Sequence, residues 1–199
     1  MFPEKISKEE VNSLPLKAWE GKIVVAATKE QHAQAIAEIR EYIVTGFDTE
    51  TRPSFRKGVS YPLGLVQIAV PGKVYLLRIN QTGMTTPLAT YLEDPNIIKV
   101  GIGLLDDLRA MQDLAPMLNL QGFFELDKVT KEELGIQQSG LRNLTSILLG
   151  FRVSKSQQTS NWNKDELTEA QKRYAATDAW ACLALYERLE ELGYIDYGQ

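Results

Sequence analysis

The chain has 199 residues, 44% hydrophobic and 24% charged, which fits one sizeable domain with a full core rather than two. Its formal charge of −4 excludes a coat protein that binds nucleic acid through bulk positive charge, but not an enzyme acting on it, because active-site acids add negative charge that a metal offsets. No apolar run reaches membrane-spanning length, no secretory signal opens the chain, and the lone Cys182 rules out an internal disulfide, so a reducing cytoplasm is expected.

In chain order, residues 1–20 are expected as a short helical arm, with Ser7 capping the turn that begins Lys8-Glu-Glu-Val. A strand at 23–26 precedes a helix over 29–40, capped by Thr28, with Ala33, Ile36, Ala37 and Ile39 on its apolar side. Strands follow at 42–50, 65–70 and 74–79, the last two joined into a hairpin by Pro71-Gly72-Lys73. A short helix at 87–92 leads through Asp94-Pro95 to a strand at 97–100. After Gly101-Ile102-Gly103 the pattern turns helical, with further helices at 128–134, 141–149 and 167–192. The Ala/Leu-rich last helix carries Cys182, whose expected role is plain packing. Early strands and late helices, with some alternation and no linker, predict a single α/β domain over residues 1–199 with a mixed central sheet.

Four acids in this layout sit where a lone carboxylate is costly. Asp48 and Glu50, two apart at a strand end, point to one face while Thr49 points to the other. That pair alone is equally compatible with a strand leaving the core for solvent. On a helical wheel Asp107 falls near the apolar side made by Leu104, Leu108, Met111 and Leu114, while Asp106 falls opposite; an ordinary first-turn acid is the alternative for Asp107. In the last helix Asp178 interrupts the stripe Leu167, Ala170, Tyr174, Ala181, Leu185, Leu189 and Leu192, with Tyr174 one turn before it. Four inward acids without matching buried bases point to a shared divalent cation, and the absence of a Cys/His cluster favours Mg²⁺ or Mn²⁺ over zinc. Four carboxylates can hold two ions about 3.5–4 Å apart, the spacing used for in-line displacement at phosphorus. The Tyr174 phenol, with an ordinary pKa near 10, suits orienting a water better than taking its proton.

Phe47-Asp48-Thr49-Glu50, Gly101-Ile-Gly-Leu-Leu-Asp-Asp107 and Tyr174-Ala-Ala-Thr-Asp178, in this order, resemble the three motifs of the DEDD family of 3′–5′ exonucleases. The resemblance runs from about residue 23 to 192. It implies a ribonuclease H-like fold, a mixed central β-sheet flanked by α-helices. It also implies two ions held by Asp48, Glu50, Asp107 and Asp178, with Asp48 bridging them and Glu50 meeting the terminal 3′-hydroxyl. Tyr174 places the chain in the tyrosine branch, since His32 precedes the first motif. Ser160-Asn-Trp162 and the run leading into the third motif are most similar to the Werner syndrome exonuclease branch, with ribonuclease D more distant. No counterpart of the helicase or helical nucleic-acid-binding domains of larger relatives is expected within these residues.

Arg52, Phe55, Arg56 and Lys57 follow the first motif and are candidate phosphate or base contacts, as are Arg142, Arg152, Lys155 and Trp162 before the last helix. Ordinary solvated charge is the alternative for the cations, and a core anchor for Trp162. The expected activity is metal-dependent release of nucleoside 5′-monophosphates, with Tyr174 and Glu50 as catalytic groups. The expected partner is a single-stranded or frayed 3′ end, DNA ahead of RNA, with no membrane and no obligate protein partner. Two rivals stand beside it: a ribonuclease D-like exoribonuclease and a non-catalytic nucleic-acid-binding adaptor.

Overall fold

The computed structural model describes residues 2–195; Met1 and residues 196–199, the two ends of the expected domain, lie outside the described residues. The chain opens with α1 (Lys8–Ser13), β1 (Lys22–Ala26), α2 (Lys29–Ile39) and β2 (Val44–Thr51). The hairpin β3 (Leu63–Val70) and β4 (Lys73–Leu77) is followed by α3 (Ile79–Thr82), α4 (Thr86–Leu92) and β5 (Ile98–Gly101). The remainder is α5 (Leu104–Leu114), β6 (Phe123–Glu125), α6 (Leu126–Leu134), α7 (Leu141–Leu149) and α8 (Glu169–Glu191).

The six strands form one sheet in the order β1-β4-β3-β2-β5-β6. β3 runs antiparallel to both β2 and β4, and the other pairs are parallel, so the sheet is mixed as expected. Every residue of β3 is buried, as a central strand covered on both faces requires. Its alternation sorts the two cores: Leu65 and Ala69 pack with α7 and α8, whereas Val66, Ile68 and Val70 pack with α2, α4 and α5. Val44 and Phe47 of β2 divide the same way. Even-numbered residues of β2 therefore face α8, which sets the direction of the acids at its end.

Local sequence signals account for the helix starts. Ser7, Thr28 and Thr168 each accept from the third residue of their helix, and Glu10, Gln31 and Gln171 return a bond to the cap. Some expectations need correction. The arm is helical only over α1, and beyond it the chain is extended, with Leu16 bridging to Arg152. α2 buries His32, Ala35, Ile36 and Ile39, leaving Ala33 and Ala37 in solvent. His32 is held between the hydroxyls of Thr85 and Thr82, at 3.3 and 3.4 Å, so an imidazole fills the place an alanine was expected to take. β4 ends at Leu77, because Arg78 turns the chain into α3. Ala170 is exposed in the first turn of α8, whereas the middle of that helix is buried nearly all round between the sheet and α7.

Candidate active site

The site lies where β2 ends and α8 crosses it. Gly46 makes that crossing close, since a Cβ there would run into the Ala179 carbonyl. Two residues further along the same face stands Asp48, then Glu50, and Asp178 comes down from α8, one residue before Ala179. Carboxylate oxygens of Asp48, Glu50 and Asp178 all lie within 4.8 Å of one another. No Lys, Arg or His makes an ion pair with any of the three among the described residues.

Asp107 approaches from the opposite face. α5 packs with the α2/α4 core, and Thr49, alternating to that face of β2, donates its hydroxyl to Asp107 Oδ1. Asp107 is consequently not in the group of three, although its charge is felt there. The sequence brought four acids together; the structure brings three within 4.8 Å of one another and holds the fourth against Thr49.

Burial and mutual repulsion govern the electrostatics. Burial first, then the charges of Glu50, Asp178 and Asp107, push Asp48 well above the usual carboxylate range. Glu50 is pushed up to about 9 by burial and then by Asp178 and Asp107. Asp178 rises to about 7 through burial, against a hydrogen bond from Tyr174 and the charge of Lys155. Asp107 rises to about 6, again chiefly by burial, with the Thr49 bond opposing. The Tyr174 phenol is raised far above its ordinary value by burial and the charges of Asp178, Glu50 and Asp48, so it stays protonated. Cys182 also lines the cleft, but burial and the nearby acids raise its thiol and keep it from becoming a thiolate ligand. The available donors are therefore hard carboxylate oxygens, which fit Mg²⁺ or Mn²⁺.

The cleft around these acids has a volume of about 430 Å³. Its far wall is formed by Ser139 to Arg142 and by Val153 to Lys155. Lys155 is exposed beside it. Arg52 lies over the Tyr61 ring at 4.4 Å, and with Phe55 and Arg56 it lines a neighbouring hollow of about 480 Å³. Phe55 is 84% exposed, a large apolar ring with nothing over it. Two other candidates are turned to structure. Trp162 is 0% exposed and packs in the core with its ring 6.0 Å from that of Tyr174, which corrects its assignment as a strand contact and makes it the anchor. Arg152 spends its Nε on the Leu14 carbonyl at 3.1 Å.

Sequence reasoning missed several positioning residues. Glu125, at the end of β6, accepts from the backbone N–H groups of Gly103 and Leu104 at 2.9 and 2.8 Å, fixing the start of α5 and so the direction of Asp107. Asp127 accepts from Gly140 N at 3.1 Å and ties down the far wall. Gln171 donates to Ser160 Oγ at 2.6 Å and to the Asn161 carbonyl at 3.1 Å, holding the segment that leads into Trp162. Gln67, paired with Asp48 across the β2–β3 ladder, is fully buried with neither amide atom partnered among the described residues. An acid after the Phe-Phe pair was the only sequence signal for Glu125; the others depend on distant contacts.

A mixed sheet of this order, with acids gathered at the end of β2 under the last helix, defines a ribonuclease H-like α/β protein built around a carboxylate cleft. A family model described as 3′–5′ exonuclease matches residues 23–193. The chain belongs to that 3′–5′ exonuclease family. It is 35% identical over 156 residues to the mouse bifunctional 3′–5′ exonuclease/ATP-dependent helicase WRN, covering 75% of this chain and 11% of that protein. It is 30% identical over 185 residues to ribonuclease D of Gluconacetobacter diazotrophicus, covering 87% of this chain and 45% of that one. This chain thus spans less than half of either relative. The crystal structure of Escherichia coli RNase D shares the fold at a TM-score of 0.74, with 23% identity over 87% of this chain and 47% of that chain.

Proposed function

We propose that this chain is a metal-dependent 3′–5′ exonuclease that hydrolyses the terminal phosphodiester of a single-stranded or frayed 3′ end and releases nucleoside 5′-monophosphates. The observation that carries the reading is the convergence of Asp48, Glu50 and Asp178 within 4.8 Å, half-buried to buried, with no ion pair to a base among the described residues. Asp48, Glu50 and Asp178, with Asp107 as the fourth, are the residues that would hold two Mg²⁺ or Mn²⁺ ions. When bound, such ions lower the pKa of an attacking water and stabilise the leaving 3′ oxygen. Tyr174 stays protonated, and its hydroxyl, now donating to Asp178, is placed to direct that water. Glu50 meets the terminal 3′-hydroxyl and so reads the end of the strand. Arg52, Arg56 and Lys155 meet phosphates, and Phe55 stacks on a base.

DNA is proposed first as the substrate and RNA second; the relatives include a helicase-linked 3′–5′ exonuclease at 35% identity and a ribonuclease D at 30%. The lone buried cysteine suits a reducing cytoplasm, and no helix among the described residues is long and apolar enough to cross a membrane. The test is digestion of matched DNA and RNA strands with Mg²⁺ or Mn²⁺. Faster shortening of DNA from its 3′ end supports the reading; faster shortening of RNA replaces the substrate, and shortening of neither sinks the enzyme.

A further inference from the structure

Residues 4–17 lie before the segment matched by the exonuclease family and are nonetheless tied to the far wall of the cleft. Gln137 N donates to the Glu4 carbonyl at 2.9 Å, and Ile6 N donates to Gln138 Oε1 at 2.6 Å. Arg142 Nη2 donates to Asn12 Oδ1 at 2.8 Å, and Lys17 N donates to the Arg152 carbonyl at 3.0 Å. Between this arm and α7 runs a groove of about 400 Å³, within the range of ligand sites. Its polar lining is Lys8, Asn12, Gln138, Arg142, Asn143 and Lys155, and the remaining lining residues are apolar. No acid lines it, in a protein whose net charge is −4. Lys8, Arg142 and Lys155 make no ion pair among the described residues. Arg142 and Lys155 also line the carboxylate cleft, so groove and cleft adjoin along these two side chains.

Resting on the exonuclease reading, we infer that the N-terminal arm completes a cationic groove that carries the polynucleotide strand upstream of the bond being cut. Lys8 supplies a phosphate contact from outside the family core. A negatively charged chain whose end sits among the acids needs cations along its remaining length, and the groove offers three with amide donors between them. Neutral and cationic donors without an acid suit a phosphate backbone, which accepts hydrogen bonds and carries no donors of its own.

The test compares Lys8→Glu and Lys8→Ala with the unaltered chain on two probes: a ten-nucleotide single strand and the p-nitrophenyl ester of thymidine 5′-monophosphate, which is too short to reach the groove. Lys8 is exposed at the first position of α1, where glutamate favours the helix, so loss of fold does not confound the result. Lys8→Glu is expected to raise KM for the ten-nucleotide strand about fivefold or more, with kcat unchanged, and to leave both constants for the short ester untouched. Lys8→Ala should show a smaller rise and a shallower salt dependence, by about 0.7 in the log–log slope for one phosphate contact. An unchanged KM for the long strand, or an equal loss on both probes, overturns the groove. If the unaltered chain turns over neither probe, the exonuclease reading fails. Fluorescence anisotropy of the labelled ten-nucleotide strand then decides the groove alone: weaker binding by Lys8→Glu supports it, and equal binding overturns it.

Discussion

Without bound cations, the acids at the end of β2 should work against folding, and Asp48→Asn should relieve that burden. Asp178 moves from 3.8 to about 7 and Glu50 from 4.5 to about 9. A carboxylate whose pKa is raised on folding keeps its full contribution below its unfolded value and loses stability as pH climbs through the folded value. The loss here falls between about pH 4 and 9. At pH 7 a shift of three units on one buried group corresponds to about 4 kcal/mol. The groups are coupled and cannot be summed, so removing Asp48 is expected to restore about 2–4 kcal/mol at pH 8. For a domain near 200 residues, each kcal/mol moves the melting temperature by about 2–4 °C. The assay is thermal unfolding in excess chelator from pH 5 to 9. The parent should lose stability steadily across the range, and Asp48→Asn should melt higher and flatter. A parallel pH slope in the two proteins would refute the charge-crowding argument. Adding Mn²⁺ should stabilise the parent at pH 8 far more than Asp48→Asn.

Tyr174→Phe removes the hydroxyl and keeps the ring beside Trp162; the single-turnover rate at saturating metal should fall by ~10²–10⁴-fold with metal affinity nearly unchanged, and an equal rate would make the hydroxyl structural. Gly46→Ala drives a methyl into the Ala179 carbonyl and should cost about 1–3 kcal/mol in denaturant unfolding. Its cleavage rate should drop out of proportion, because α8 carries Asp178 away from Asp48; stability loss with full activity would remove Gly46 as the spacer of the site.

The parts of this molecule that were legible in the sequence are those fixed by local pattern. Alternation in β2 gave the common face of Asp48 and Glu50 and the opposite face of Thr49, and spacing put Tyr174 one turn from Asp178. Ser7 and Thr28, the two caps expected, act through bonds within three residues. What escaped depends on contacts between distant segments. β6 is three residues long and exists because β5 offers it an edge, so Glu125 could not be assigned to the start of α5. Thr49 and Asp107 are 58 residues apart, and their bond could not be foreseen from either neighbourhood. In α8 the central turns are buried all round, which blurs the stripe that periodicity relies on and concealed the exposure of Ala170. Trp162 was ambiguous because its burial is decided by α8 and the segment Gln171 holds, not by its own surroundings.

Metal-dependent hydrolysis from a free 3′ end, directed by the acids at the end of β2, is the proposed activity. It is tested most directly by incubating 5′-labelled single strands ending in either a 3′-hydroxyl or a 3′-phosphate with Mn²⁺, beside a closed circular strand. A ladder shortening stepwise from the 3′ end of the hydroxyl strand only, abolished by chelator and by Asp48→Asn, is expected. Cutting of the circle, equal digestion of the 3′-phosphate strand, or full activity of Asp48→Asn would contradict it.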